Sequence, residues 1–141
     1  RPGDGLAAMI VDTSVLVAIL LNEPDAPVFA RILDTVEVPR LSAAGYVELC
    51  IVIDARRDPA LSLRVDELIG ASGLVIEPVT ADQARIAREA YRLFGRGNGH
   101  PARLNYGDCF AYALAKALGE PLLFKGADFI HTDVVPATAG R

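Results

Sequence analysis

The sequence predicts an α/β protein: an open, three-layer α/β/α sandwich with a central, mostly parallel sheet. Three observations point there. Short apolar runs at Met9–Val11, Val36–Pro39, Leu74–Ile76 and Leu122–Phe124 have the length of strands. Stretches with helical periodicity separate them and are long enough to serve as crossovers between parallel strands. The runs are short and apolar, which suits a parallel sheet covered by helices on both faces.

In chain order, Met9–Val11 ends in Asp12, and Thr13 and Ser14 lead into the helical pattern Val15–Leu21 as a hydroxyl N-cap. Asn22, Glu23 and Pro24 break that helix. Pro24–Leu33 restarts one, with Val28, Phe29, Ile32 and Leu33 on one stripe. Ser42 caps a helix over Ala43–Ile53 whose interior is apolar or small except for Glu48. Leu61–Ile69 is amphipathic and closed by Gly70–Gly73, after which Leu74–Ile76 reads as a central strand. Thr80 opens a helix that buries Ile86, Ala87, Ala90, Tyr91 and Phe94 and turns Asp82, Arg85, Arg88, Glu89 and Arg92 to solvent. Gly95–Arg103 is a Gly-rich basic loop; it lacks the GxGxxG spacing and a preceding strand, so it is not a phosphate-binding loop. Leu104–Gly119 is helical, Leu122–Phe124 extended, and Val134–Val135 a last short strand in the tail.

Bulk properties narrow the function classes. A chain of 141 residues suits one domain, and 52% hydrophobic with 23% charged residues excludes a disordered class. No apolar run approaches the roughly 18 to 20 residues of a membrane span. With no basic start ahead of an apolar signal core, a cytoplasmic location is expected. A net charge of −4 argues against a broad basic surface for nucleic acid, though not against an acidic site rimmed by arginines. Cys50 and Cys109 lie in apolar helical patterns without Cys or His partners and are expected to be reduced core residues. Residues 1–8, RPGDGLAA, are expected to be a non-native leader or disordered, with Met9 the native start and 9–141 a single domain.

Four acids stand where stability does not ask for them. Asp12 ends the first strand, Glu48 and Asp108 interrupt apolar helices, and Asp128 follows a late strand. An unpaired charge taken out of water costs several kcal/mol. Each acid has an ordinary reading: Asp12 as an N-cap, Glu48 paired with a buried arginine, Asp108 favouring a helix macrodipole, Asp128 in a turn. All four readings must hold together to dismiss a cluster. In a doubly wound sheet the two strand ends share one edge, where ligands gather, and helices packed across it bring Glu48 and Asp108 to the same place. Converging carboxylates need a counter-charge. Oxygen-only ligation points to Mg²⁺ or Mn²⁺.

MIVDTSVLVAIL, the isolated Glu48, LNYGDCFAYALA and LLFKGADF, in that order from Met9 to Ala137, together resemble the PIN-domain ribonucleases of the VapC toxin type. The resemblance implies metal-dependent endonucleolytic cleavage of RNA, with Asp12, Glu48, Asp108 and Asp128 as catalytic and metal-binding residues. Many PIN domains carry an acid two positions before the Asp of the final DF pair. Here that position is Gly126, which shifts the fourth acidic role to Asp128. It further implies a VapB-type antitoxin partner lying across the acidic groove, with the helices after Val15 and Pro24 supplying the groove, and a homodimer. Ser14, Arg96, His100, Arg103 and Lys125 are the candidates for holding RNA, Ser14 alternatively as a helix cap. Two rival readings are a phospho-accepting Mg²⁺-binding signalling domain, suggested by Lys125 after a late strand, and an inactive PIN-like RNA-binding module, suggested by Gly126.

Overall fold

A four-stranded parallel sheet in the order β3-β2-β1-β4 organises the computed structural model, which describes residues 7–137. The strands are β1 (Ala8–Val11), β2 (Val38–Ser42), β3 (Val75–Glu77) and β4 (Leu122–Leu123). The helices are α1 (Thr13–Leu20), α2 (Ala26–Thr35), α3 (Ala43–Asp54), α4 (Pro59–Ser72), α5 (Ala81–Phe94) and α6 (Tyr106–Leu118). Of the expected leader 1–8, residues 1–6 lie outside the described chain, as do 138–141. Ala8 already belongs to β1, one residue ahead of Met9.

Strand geometry sends alternate side chains to opposite faces. β1 therefore feeds two cores: Met9 and Val11 join Leu16, Leu41, Leu49 and Ile53 on one face, and Ile10 joins Leu104, Leu114 and Leu122 on the other. α1 to α4 cover the first face, α5 and α6 the second. Burying one such aliphatic side chain contributes about 1.5–3 kcal/mol. With both faces covered, every residue of Met9–Val11 must be apolar, and this is why the first strand reads as an unbroken run.

The structure corrects three expectations about strands. β2 does not stop at Pro39 but runs through Ser42. β3 begins to pair only at Arg40, so Pro39 stands where that side of β2 is still an open edge and its missing N–H is tolerated. Leu74–Ile76 is not central: β3 is an edge strand with Val75 and Ile76 exposed, because β1 lies between β2 and β4. Val134–Val135 forms no full strand. A single parallel bridge joins Leu122 to Pro136, with Leu122 N donating to Val135 O and Ala137 N to Leu122 O, both at 2.8 Å, and this tail covers the β4 edge.

Helix ends follow their caps. Ser42 and Thr80 cap α3 and α5 as expected, through Ala44 N at 3.3 Å and Gln83 N at 3.1 Å. α4 begins earlier than its apolar pattern, at Pro59, because Asp58 accepts from Ala60 N and Leu61 N, and it ends on Gly73 at φ +67. α1 is capped by the Asp12 carboxylate rather than by a hydroxyl. Both cysteines are free, Cys109 buried and Cys50 partly so. No helix among the described residues is long and apolar enough to cross a membrane.

Candidate active site

At the carboxyl end of the sheet, Asp12, Glu48, Asp108 and Asp128 line one cleft of about 440 Å³, together with Thr13, Ser14, Glu23, Asn105 and Lys125. The chain reaches each position by a different route. Asp12 follows the last residue of β1 and is buried; it accepts from Ser14 N at 3.1 Å, so its N-cap role and its place in the cleft coexist. Asp108 sits in the first turn of α6 and forms a capping box. Asn105 N donates to Asp108 Oδ2 at 3.0 Å and Asp108 N to Asn105 Oδ1 at 2.9 Å. Glu48 projects from α3 toward the start of α6, where no arginine meets it. Its carboxylate lies so close to the Gly107 backbone that a Cβ there would stand 2.8 Å from Glu48 Cδ. Asp128 is exposed on the loop after β4, at the rim.

Electrostatics tie the four together. Burial pushes the Asp108 carboxyl up to about 7, opposed by the Asn105 amide and reinforced by the charges of Asp12, Asp128 and Glu48. Burial likewise raises Asp12, against hydrogen bonds from Ser14, with Asp128 adding to the rise. Glu48 is raised by burial and then by Asp12, while hydrogen bonding to Thr13 lowers it. No lysine or arginine offsets any of the three, and among the described residues none of the four acids enters an ion pair. The donors are all oxygens. Among the described residues, no three acidic, His or Cys side chains gather tightly enough to close a coordination shell alone.

A carboxyl raised in the fold has a defined effect on stability. Between its ordinary value of 3.8 and about 7, folded Asp108 keeps a proton that the unfolded chain releases, so stability falls as pH rises through that window and levels off above it. With divalent cations chelated, Asp108→Asn is expected to escape this loss. Urea unfolding at pH 5 and pH 8 checks it: the variant's advantage over the parent is larger at pH 8.

The expected substrate-binding residues are only partly in place. Ser14 lines the cleft, but its hydroxyl accepts the Lys125 amide at 3.0 Å and caps no helix. Lys125 also lines it, with its ammonium on Glu23 Oε1 at 2.5 Å and Asp25 Oδ1 at 3.1 Å. Arg96, His100 and Arg103 do not line it. Arg96 and Arg103 are exposed on the α5–α6 loop, and His100 is engaged there, its Nδ1 accepting from Ala102 N at 3.0 Å and its ring edge-on to Phe94. Large exposed apolar side chains are sparse on α1 and α2, the helices that the resemblance implies supply the antitoxin groove. α1 shows none and α2 only Val28, whereas Val47, Ile51 and Val52 on α3 and Tyr106 on α6 are exposed beside the cleft. Those side chains, with Phe110, line an adjoining cavity of about 390 Å³ that shares Glu48 and Val52 with the acidic cleft.

Residues that sequence reasoning passed over are Thr13, Glu23, Asn105 and Gly107. Asn105 was open to detection, since Asn-x-x-Asp ahead of an apolar helix is a variant capping box. Gly126 stands at φ +98, a conformation that favours glycine, so the loop is shaped against an acid at that position.

The PIN domain family model matches residues 9–135. Ribonuclease VapC28 of Mycobacterium tuberculosis is 58% identical over 133 residues, which covers 94% of this chain and 100% of that protein. Ribonuclease VapC42 of the same organism is 54% identical over 129 residues, covering 92% and 98%. Among solved structures, that of M. tuberculosis VapC20, described as a sarcin-ricin loop cleaving toxin, has a TM-score of 0.72 at 17% identity, covering 92% of this chain and 98% of that one. VapBC2 from Rickettsia felis, bound to a DNA fragment from its promoter, has a TM-score of 0.71 at 12% identity, covering 92% and 97%. At those identities the structures speak for the fold, and the mixed α/β architecture with a parallel sheet agrees with it. By the family model and by close identity over nearly its whole length, the chain belongs to the PIN-domain family and, within it, to the VapC ribonucleases.

Proposed function

We propose that the chain is a Mg²⁺- or Mn²⁺-dependent endoribonuclease and the toxin of a toxin-antitoxin pair. The observation that carries this is the single cleft that holds four carboxylates, three of them raised by burial and by their acidic neighbours, while its one lysine, Lys125, is paired with Glu23 and Asp25 instead. An all-oxygen donor set suits a hard cation. Mg²⁺ usually keeps several waters and takes one or two carboxylates, so it does not require three acids drawn into one closed shell. Asp12, Glu48 and Asp108 would hold the ion, and Asp128, at the rim, would complete the site or orient the attacking water. When bound, such an ion lowers the pKa of water and stabilises the leaving oxygen of a phosphodiester. Asn105 and the Ser14 amide keep Asp108 and Asp12 from turning away, and Gly107 leaves room for Glu48.

Single-stranded or looped RNA in the cytoplasm is the substrate we assign, since unstacked nucleotides can reach the buried Asp12 behind the exposed Asp128. Arg96 and Arg103 are the candidates for holding the RNA backbone beyond the cleft. Solved structures of the same fold, among them VapBC-5 of M. tuberculosis, a member of the VapBC family of toxin-antitoxin systems, support a VapB-type antitoxin as partner, to which we assign the role of inhibitor. The exposed apolar strip on α3 and α6 supports association with a second copy of the chain to form a homodimer. Neither rival gains support. β3 is an edge strand without a terminal Asp, and Asp12, Glu48 and Asp108 share one cleft despite Gly126.

The experiment is cleavage of a single-stranded RNA by purified protein in Mg²⁺ or Mn²⁺. Chelation is expected to abolish cutting and excess cation to restore it. Cutting that survives chelation, or an acyl-phosphate in place of cut RNA, overturns the reading.

A further inference from the structure

Asp128 is the one acid of the four carried on a loop, so something other than helix or strand geometry must hold it against the cleft. The loop leaves β4 after Leu123, whose carbonyl accepts from Asp12 N at 2.9 Å, and ends on Phe129, buried against Phe124 with ring centroids 5.3 Å apart. Between these anchors stands Lys125. Its amide is held by Ser14 Oγ on α1 and its ammonium by Glu23 and Asp25 in the turn between α1 and α2, some 100 residues away in sequence. Gly126, at φ +98, then turns the chain back toward Asp128.

We propose that Lys125 is a positioning residue: clamped by Ser14, Glu23 and Asp25, it straps the β4 exit loop to the α1–α2 turn and so sets where Asp128 faces the cleft. This deepens the nuclease reading and rests on it. One exposed ion pair holds little. Here two acids share one ammonium, and the same residue's backbone is bound as well, so three contacts converge on one point of the loop. An ammonium shared between two carboxylates is also poorly placed to bind a phosphate, which sets Lys125 apart from the RNA-holding role its sequence position suggests.

The two roles give opposite results when the acids are removed. The full chain is compared with Lys125→Met and with the double variant Glu23→Gln/Asp25→Asn, measuring kcat and KM on a short single-stranded RNA with Mg²⁺, and amide hydrogen exchange at Lys125. Both variants are expected to lower kcat about tenfold with KM within about twofold, as small misplacements of a reacting group do. Combining them is expected to add little, since they break one connection. The Lys125 amide is expected to exchange faster in the double variant. Overturning results are a Lys125→Met variant that raises KM and keeps kcat, a double variant that cuts as fast as the parent, or unchanged exchange at Lys125. A parent that cuts no RNA overturns the nuclease reading instead, and the exchange measurement still decides the strap.

Discussion

Asp12→Asn is expected to lower kcat for RNA cleavage by about a thousandfold or more while the protein stays folded. Loss of an outer-shell partner alone typically costs about 10–100-fold in metal affinity or activity, and Asp12 is proposed as a direct ligand. The fold should survive because the amide oxygen of Asn still accepts from Ser14 N and keeps the α1 cap. Asp12 is buried, and burial penalises its charge. Removing that charge therefore relieves a strain that a bound cation would otherwise relieve. Stability in chelator should hold or rise while activity collapses, and single-turnover cleavage beside thermal unfolding reads both. A variant that cuts within tenfold of the parent would remove Asp12 from the ion's ligands.

Gly107→Ala is expected to act almost as strongly without touching an acid. The added methyl falls on the Glu48 carboxylate, which is the free end of a flexible side chain, so the side chain gives way rather than the helices. Alanine is a better helix residue than glycine by about 1 kcal/mol, so Tm should stay within a few degrees or increase. Displacing a ligand by about 1 Å can cost about a hundredfold in rate. The expected result is a folded protein with kcat down about a hundredfold and Mn²⁺ affinity, measured by calorimetry, down about tenfold. Unchanged cleavage would mean that Glu48 has a second productive position.

The four acids were legible because Glu48 and Asp108 interrupt apolar helices and Asp12 and Asp128 follow apolar strands, and the chain belongs to the family those motifs resemble. Their double use was not legible. Asp12 and Asp108 also cap helices, and a pattern of single letters shows either role but not that one oxygen can serve a cap while the group still faces a cleft. Pro39 read as a strand end because the register that makes it harmless belongs to β3, which starts 36 residues later at Val75. The loop Arg96–Arg103 read as a rim because it adjoins α6 in sequence. Its histidine instead satisfies the loop's own backbone and packs on Phe94. The exposure of Val47, Ile51 and Val52 on α3 was not legible, since sequence periodicity records that a residue is apolar and not what covers it. Gly107 left no signal at all: a glycine near a helix start is unremarked until an acid from another helix is found pressed against it.

The clamp between Ser14 and Lys125 joins residues 111 apart in sequence, and β1 pairs with β4 across a similar span. Such long-range closures come late in folding, since loop entropy is lost before the contact repays it. A ribosome making this chain would release Asp12 and Glu48 long before Asp108 and Asp128. Until the segment carrying Asp108 and Asp128 emerges the cleft has no second half, so topology alone withholds the assembled site from the nascent protein.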